Sequence, residues 1–215
     1  MVRKSKAVAT SRGDPQRRLR RGDWVEAALR RLAAGGVEAV RVELIARDMG
    51  VTKGSFYWHF KNRAELLEAV LQAWEATTER VIESAAQAPT PPERMARFNE
   101  LVTAWAADAD EAALENAVLA WAQKDAAVAE RVAAVEALRT RNAEQLLFEL
   151  GFPPAAAAAW SEIGYTTVVG MVSRSTRDPR FRHWPQEGYL TRLLEAAELL
   201  VVRSDDHNPD GAPGE

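Results

Sequence analysis

The sequence has no cysteine and only three histidines, His59, His183 and His207, far apart along its 215 residues. The first absence excludes disulfides and thiolate metal sites and fits a reducing compartment. The second leaves no group of ligands at metal-binding spacing, so neither a metal nor another cofactor is expected. No apolar run approaches the roughly 18 residues that a membrane span requires, and none follows the basic N-terminus at signal-peptide length. A cytoplasmic protein with no membrane association is therefore expected. Alternating Val/Ile/Thr strands are missing as well. The motifs of common enzyme classes (GxSxG, HExxH, a P-loop, paired carboxylates on one helix face) do not occur, and no catalytic residues are nominated.

What is present is apolar and helical in character. Hydrophobic residues make up 47% of the chain, enough for a substantial core. Ala and Glu are abundant, and apolar residues recur at spacings of three and four, which predicts an all-α fold. The net charge of -3 hides an asymmetry: residues 1–63 carry fifteen Lys/Arg against six Asp/Glu, whereas residues 64–215 carry thirteen against twenty-five. A basic end of this kind suits a polyanion.

Four regions follow. Residues 1–22 hold eight Lys/Arg and little apolar surface, and read as a disordered basic arm whose Arg17, Arg18, Arg20 and Arg21 lie nearest the fold. Residues 23–70 form a small helical head and 71–203 a larger helical body, with 204–215 an acidic, Gly/Pro-rich disordered tail. The first helix is expected to open with Asp23 as N-cap and to stop at Gly35-Gly36. A second spans about 42–49, a third begins near Thr52, and a fourth runs from after Asn62 to about Ser84 before APTPPE breaks the chain. Further helices are expected over 91–107, 110–122, 125–150, 153–176 and 186–203.

VELIARDMGVTKGSFYWHF (42–60) has the spacing of a helix-turn-helix. Ala46 allows the two helices to cross closely, Gly50 takes the turn, and Ile45, Met49, Val51 and Phe56 lock the pair. At about 100° per residue, Phe56 and Phe60 share one face of the third helix, which predicts that both are core. Ser55, Tyr57, Trp58 and His59 are then offered outward, as on a helix that fits the major groove of DNA.

From Trp24 to about Trp74, and above all in GVTKGSFYWHFKNRAELLEAVL (50–71), the sequence resembles the DNA-binding domain of the TetR family of bacterial transcriptional repressors. A looser likeness runs through residues 117–154. The resemblance implies a three-helix, helix-turn-helix DNA-binding domain followed by a helical ligand-binding and dimerisation domain. It implies a homodimer on a palindromic operator in double-stranded DNA, controlled by a small organic effector. By the same resemblance Lys53 and Ser55 contact base edges or nearby phosphates, and Gly54 permits close approach. Tyr57, His59, Lys61 and Arg63 hold phosphates, and Trp58 packs on sugar or a thymine methyl. Where the family often has Thr or Ser at the start of the second helix this chain has Arg41-Val42-Glu43. There Arg41 can substitute electrostatically, while Glu43 is unfavourable beside DNA.

Within the body Met95, Phe98, Trp105, Trp121, Phe148 and Tyr165 are candidates for an effector cavity, with Asn116, Gln123, Arg139 and Asn142 as polar contacts. The stripes Trp160, Ile163, Thr167, Val168, Met171, Val172 and Leu190, Leu193, Leu194, Ala197, Leu200, Val201 suit packing. They are read as a dimer interface on the strength of the resemblance, since periodicity alone fits a core equally well. The alternative is a helical DNA-binding protein of architectural or partner-controlled type, with the same head and no small-molecule effector.

Overall fold

Helix α1 starts three residues earlier than expected. It spans Arg21–Gly35, and Asp23 sits inside its first turn, where a carboxylate oxygen accepts from the Arg20 backbone N–H at 2.6 Å. The N-cap is Arg20, and Asp23 works from the third helical position, as the acidic member of a capping box does. The computed structural model describes residues 19–178, Phe181 and residues 188–205, the last five and Tyr189 as backbone alone. Residues 1–18 of the expected arm, most of the 178–185 segment and residues 206–215 of the expected tail lie outside the described residues.

Gly36, at φ 71°, ends α1, and one 3-10 turn (Val37–Ala39) leads to α2 (Val42–Asp48). Gly50, at φ 66°, makes the turn into α3 (Lys53–Phe56), a conformation that favours glycine. The turn closes with Gly50 N–H on Arg47 O at 3.1 Å and Val51 N–H on Ala46 O at 2.9 Å. Then come α4 (Arg63–Ala86), α5 (Pro91–Ala107), α6 (Ala109–Ala122), α7 (Ala126–Glu149), α8 (Pro154–Arg177) and α9 (Tyr189–Asp205). Four of these starts are capped by side chains: Asn62, Thr90, Asp108 and Asp125 accept from the first turns of α4, α5, α6 and α7. Helix α9 takes in Ser204 and Asp205, which the sequence pattern places in the tail.

The described residues contain helices and no strand. Trp24, Ala28 and Leu32 of α1, Ile45 and Ala46 of α2, Phe56 and Phe60, and Leu66, Val70 and Trp74 of α4 form one buried cluster. That cluster continues into α6 and α7 through Val118, Trp121, Val128 and Val132. The head is thus seated on the body, with α1 against α6. Farther out the body holds two smaller clusters, one around Met95, Leu147, Phe152, Ala157 and Ala197, the other around Ala106, Ala112, Val168 and Val172.

Candidate nucleic-acid interface and ligand cavity

Helix α3 is a single turn, shorter than the sequence pattern suggests, and hydrogen-bonded turns continue it through His59. Tyr57 N–H donates to Gly54 O at 3.3 Å, and His59 and Phe60 N–H donate to Phe56 O at 2.9 and 3.0 Å. Phe56 and Phe60 are buried, their rings stacked at 5.4 Å, and Trp24 meets Phe56 edge-on at 5.3 Å. These anchors fix which way the rest of the segment faces. Tyr57 is 57% exposed and Trp58 88%, with Ser55 and His59 half-buried at the flanks. Large aromatic surface left this open marks a place where something binds. Gly54 is exposed, and a Cβ there would meet only Thr52 Oγ1 at 3.6 Å, so nothing within the chain demands a glycine.

The cations around this surface are partly engaged. Lys53 pairs with Glu43 of α2; the hydrogen bond between them raises the lysine above its ordinary pKa and lowers the carboxyl. Glu43, expected to be unfavourable beside DNA, holds the lysine nearest the recognition surface. Ser55 Oγ donates to Thr52 O at 3.0 Å. Arg41 is exposed and donates from Nε to Glu38 O at 3.2 Å. Lys61 is exposed, and its side chain makes no hydrogen bond or ion pair among the described residues. Arg63, expected on phosphate, also has a role within the head. Its guanidinium donates to Val40 O at 2.6 Å and to Val37 O, which ties the start of α4 to the 3-10 turn. It clamps the head internally through Nε and Nη2.

The body contains a cavity of about 150 Å³ between its two smaller clusters. Phe98, Trp105, Arg139 and Tyr165 of the nominated residues line it, as does Met95. The others do not. Trp121 is buried in the cluster that joins head to body, Phe148 is exposed, and Gln123 is the exposed C-cap of α6. Asn116 links α6 to α8 by donating to Ala112 O at 2.8 Å and to Thr176 Oγ1 at 3.3 Å. Asn142 is absent from the lining, and its buried amide nitrogen has no partner among the described residues.

The stripes nominated for dimerisation point mostly inward. Trp160, Val168, Leu190, Leu193 and Leu194 line the cavity, while Val172 and Ala197 are buried in the two clusters and Met171 packs on one of them. Of the nominated stripes, Ile163 and Leu200 are exposed, joined by Leu199. A helical stripe identifies a face and not its partner, and here the partner is the chain itself.

One wall of the cavity is polar. Arg139 donates from Nη1 to Glu115 Oε1 at 2.5 Å, from Nη2 to Oε2 at 3.3 Å and from Nε to Thr78 Oγ1 at 3.0 Å. Glu115 is buried and also accepts from Trp74 Nε1 at 2.8 Å. Burial opposes the charge on Arg139, and the Glu115 carboxylate more than offsets it, so the guanidinium stands above its usual pKa. Tyr165 OH donates to Glu136 at 3.0 Å; burial, with that carboxylate nearby, pushes the phenol well up. Sequence reasoning missed Glu115 and the Thr77-Thr78 pair. The signals were an acidic residue among the inward positions of α6, and Thr78 one turn beyond Trp74 on the inward stripe of α4.

Residues 25–70 match the family model of bacterial regulatory proteins, tetR family. Over 47 residues the chain is 47% identical to the HTH-type transcriptional regulator SrpR of Pseudomonas putida, a stretch covering 22% of each chain. Over 57 residues it is 42% identical to the HTH-type transcriptional regulator TtgR, also of Pseudomonas putida, covering 26% of this chain and 27% of that one. The matched stretch thus spans about a quarter or less of these curated relatives. The fold likeness extends further. A transcriptional regulator from Saccharomonospora viridis, solved in complex with choline, superposes with a TM-score of 0.68 at 18% identity, over 81% of this chain and 95% of that one. Among the described residues no helix is long and apolar enough to cross a membrane. Residues 25–70 are thus similar to the helix-turn-helix head of the tetR family of bacterial regulatory proteins.

Proposed function

We propose that the chain is a cytoplasmic, DNA-binding transcriptional regulator of repressor type, which binds a palindromic operator as a homodimer and is released by a small organic effector. The observation that carries this reading is the outward Tyr57-Trp58 surface, held in place by the buried Phe56 and Phe60 and flanked by Lys53, Lys61 and Arg41. In the major groove, Gly54 brings the backbone close to the base edges. Lys53 exchanges Glu43 for a base edge or phosphate, with Ser55 beside it. Tyr57, His59, Lys61 and Arg41 take phosphates, and Trp58 takes sugar or a thymine methyl.

A single one-turn reader contacts few base pairs, so two are needed about 34 Å apart. The outward apolar residues of α8 and α9, Ile163, Leu199 and Leu200, supply the self-association face. Helix α4 joins the two functions. Its first residue, Arg63, is clamped within the head, and its later turns present Thr77, Thr78, Val81 and Ile82 to the cavity. A molecule that displaces this wall moves the element that carries the head, which changes the spacing of the two readers. That the Saccharomonospora neighbour was solved with choline supports a small molecule in a body of this fold.

Selection of bound duplexes from a random pool by the full chain tests the reading. Enrichment of two symmetric half-sites is the expected result, and recovery of unenriched sequence would refute it. A metabolite screen by thermal stabilisation then separates an effector-controlled regulator from one controlled by a protein partner, in which no compound raises the unfolding temperature.

A further inference from the structure

The cavity's chemistry restricts what it can hold. Among the described residues its lining carries one charged side chain, Arg139, and that charge is already matched by Glu115. The other polar groups are also occupied: Tyr165 OH by Glu136, Ser161 Oγ by Ala158 O at 2.8 Å, and Thr78 Oγ1 by Arg139. Thr77 Oγ1 accepts from Arg80 at 2.8 Å. The Asn99 amide and the Trp160 indole N–H are the polar groups of this lining whose side chains make no hydrogen bond within the described residues. The remaining wall is aromatic and aliphatic, with Trp105 and Trp160 among its largest faces.

We propose that this cavity takes uncharged, mainly apolar molecules with one hydrogen-bonding group, that it turns carboxylates away, and that Glu115 sets this preference by occupying Arg139. The inference rests on the reading of the cavity as an effector site. A carboxylate entering the cavity has one cation to approach. If it shares Arg139 with Glu115, two like charges lie around one guanidinium in a largely apolar space, where repulsion is poorly screened. If it displaces Glu115, a buried carboxylate keeps only the Trp74 indole N–H, and an unpaired buried charge is costly. An uncharged molecule meets neither penalty: it buries its rings against the aromatic wall and offers its polar group to Asn99.

Calorimetric titration of the full chain with 2-naphthol and with 2-naphthoate at neutral pH tests this. These probes share one ring system and differ in charge. The wild type should bind 2-naphthol at least about tenfold more tightly. Glu115→Gln leaves Arg139 uncompensated and should shift the ratio toward 2-naphthoate by at least about tenfold. Equal or tighter binding of 2-naphthoate by the wild type would overturn the proposal, as would an unchanged ratio in a folded Glu115→Gln. Should that variant not fold, the wild-type ratio decides alone. If neither probe binds or alters duplex affinity, the effector reading itself fails and the charge preference falls with it. Tight 2-naphthoate binding that weakens duplex affinity sinks the charge preference and leaves the effector reading standing.

Discussion

Phe56 and Trp160 are both aromatic residues on inward helical stripes, yet one is sealed and the other borders empty space. Phe56 ends the one-turn helix α3 and is enclosed by Trp24 of α1, Phe60 and the first turns of α4. Trp160 stands on a 24-residue helix, facing the long helices α4, α5, α7 and α9. The walls include Gly164 of α8 itself, Ala143 and the two threonines of α4, too small to meet across the middle. A short element such as α3 can be drawn against its longer neighbours until the side chains interlock. Long helices held apart at their ends by Trp121, Phe152 and their neighbours keep a hollow between them. The head is built to hold one surface in one orientation, and the body to yield.

Substitutions that remove an anchor separate the two regions most strongly. Phe56→Ala should cost about 3–5 kcal/mol in chemical denaturation, because the sealed site cannot collapse around the loss. Phe98→Ala, on the cavity wall, should cost less than about 2 kcal/mol, since its ring is already part-exposed. Equal costs would erase the distinction between the two interiors. Next in size, Arg139→Met leaves Glu115 buried without its cation and should destabilise by about 3 kcal/mol by the same measurement.

The head was largely legible from sequence because each of its signals is local. Gly50 declares a turn, the i, i+4 pair Phe56 and Phe60 declares a buried face, and what remains between them must point outward. The length of α3 was not, because a helix can give way to tight turns without altering which side chains face in. The body was legible as a series of helices and illegible as a site. Trp160, Leu193 and Leu194 have the periodicity of an interface and line a cavity, since periodicity says which residues share a face and not what the face meets. The clamp that Arg63 forms was hidden for a related reason. A lysine or arginine beside a recognition segment looks available until the carbonyls of Val37 and Val40, more than twenty residues earlier, are found beneath it.

Smaller effects sharpen the contrast from outside. Ile163→Glu places a charge on the outward apolar face of α8 and should convert a dimer to a monomer in sedimentation, a loss of about 2 kcal/mol in association, with the unfolding midpoint little changed. A monomeric wild type would remove the interface from the account. Smallest of all, Lys61→Met should leave stability within about 0.5 kcal/mol of wild type. Its effect should appear as a shallower dependence of duplex affinity on salt, by about one in the log–log slope.

The most direct measurement is the affinity of Trp58→Ala for the duplex that the wild type selects, beside the unfolding midpoint of each protein. Trp58 is 88% exposed, so its truncation should leave the midpoint unchanged, while duplex affinity falls at least about tenfold, or 1.4 kcal/mol. A variant that binds the selected duplex as tightly as the wild type would show that the outward surface of residues 53–59 is not what meets DNA.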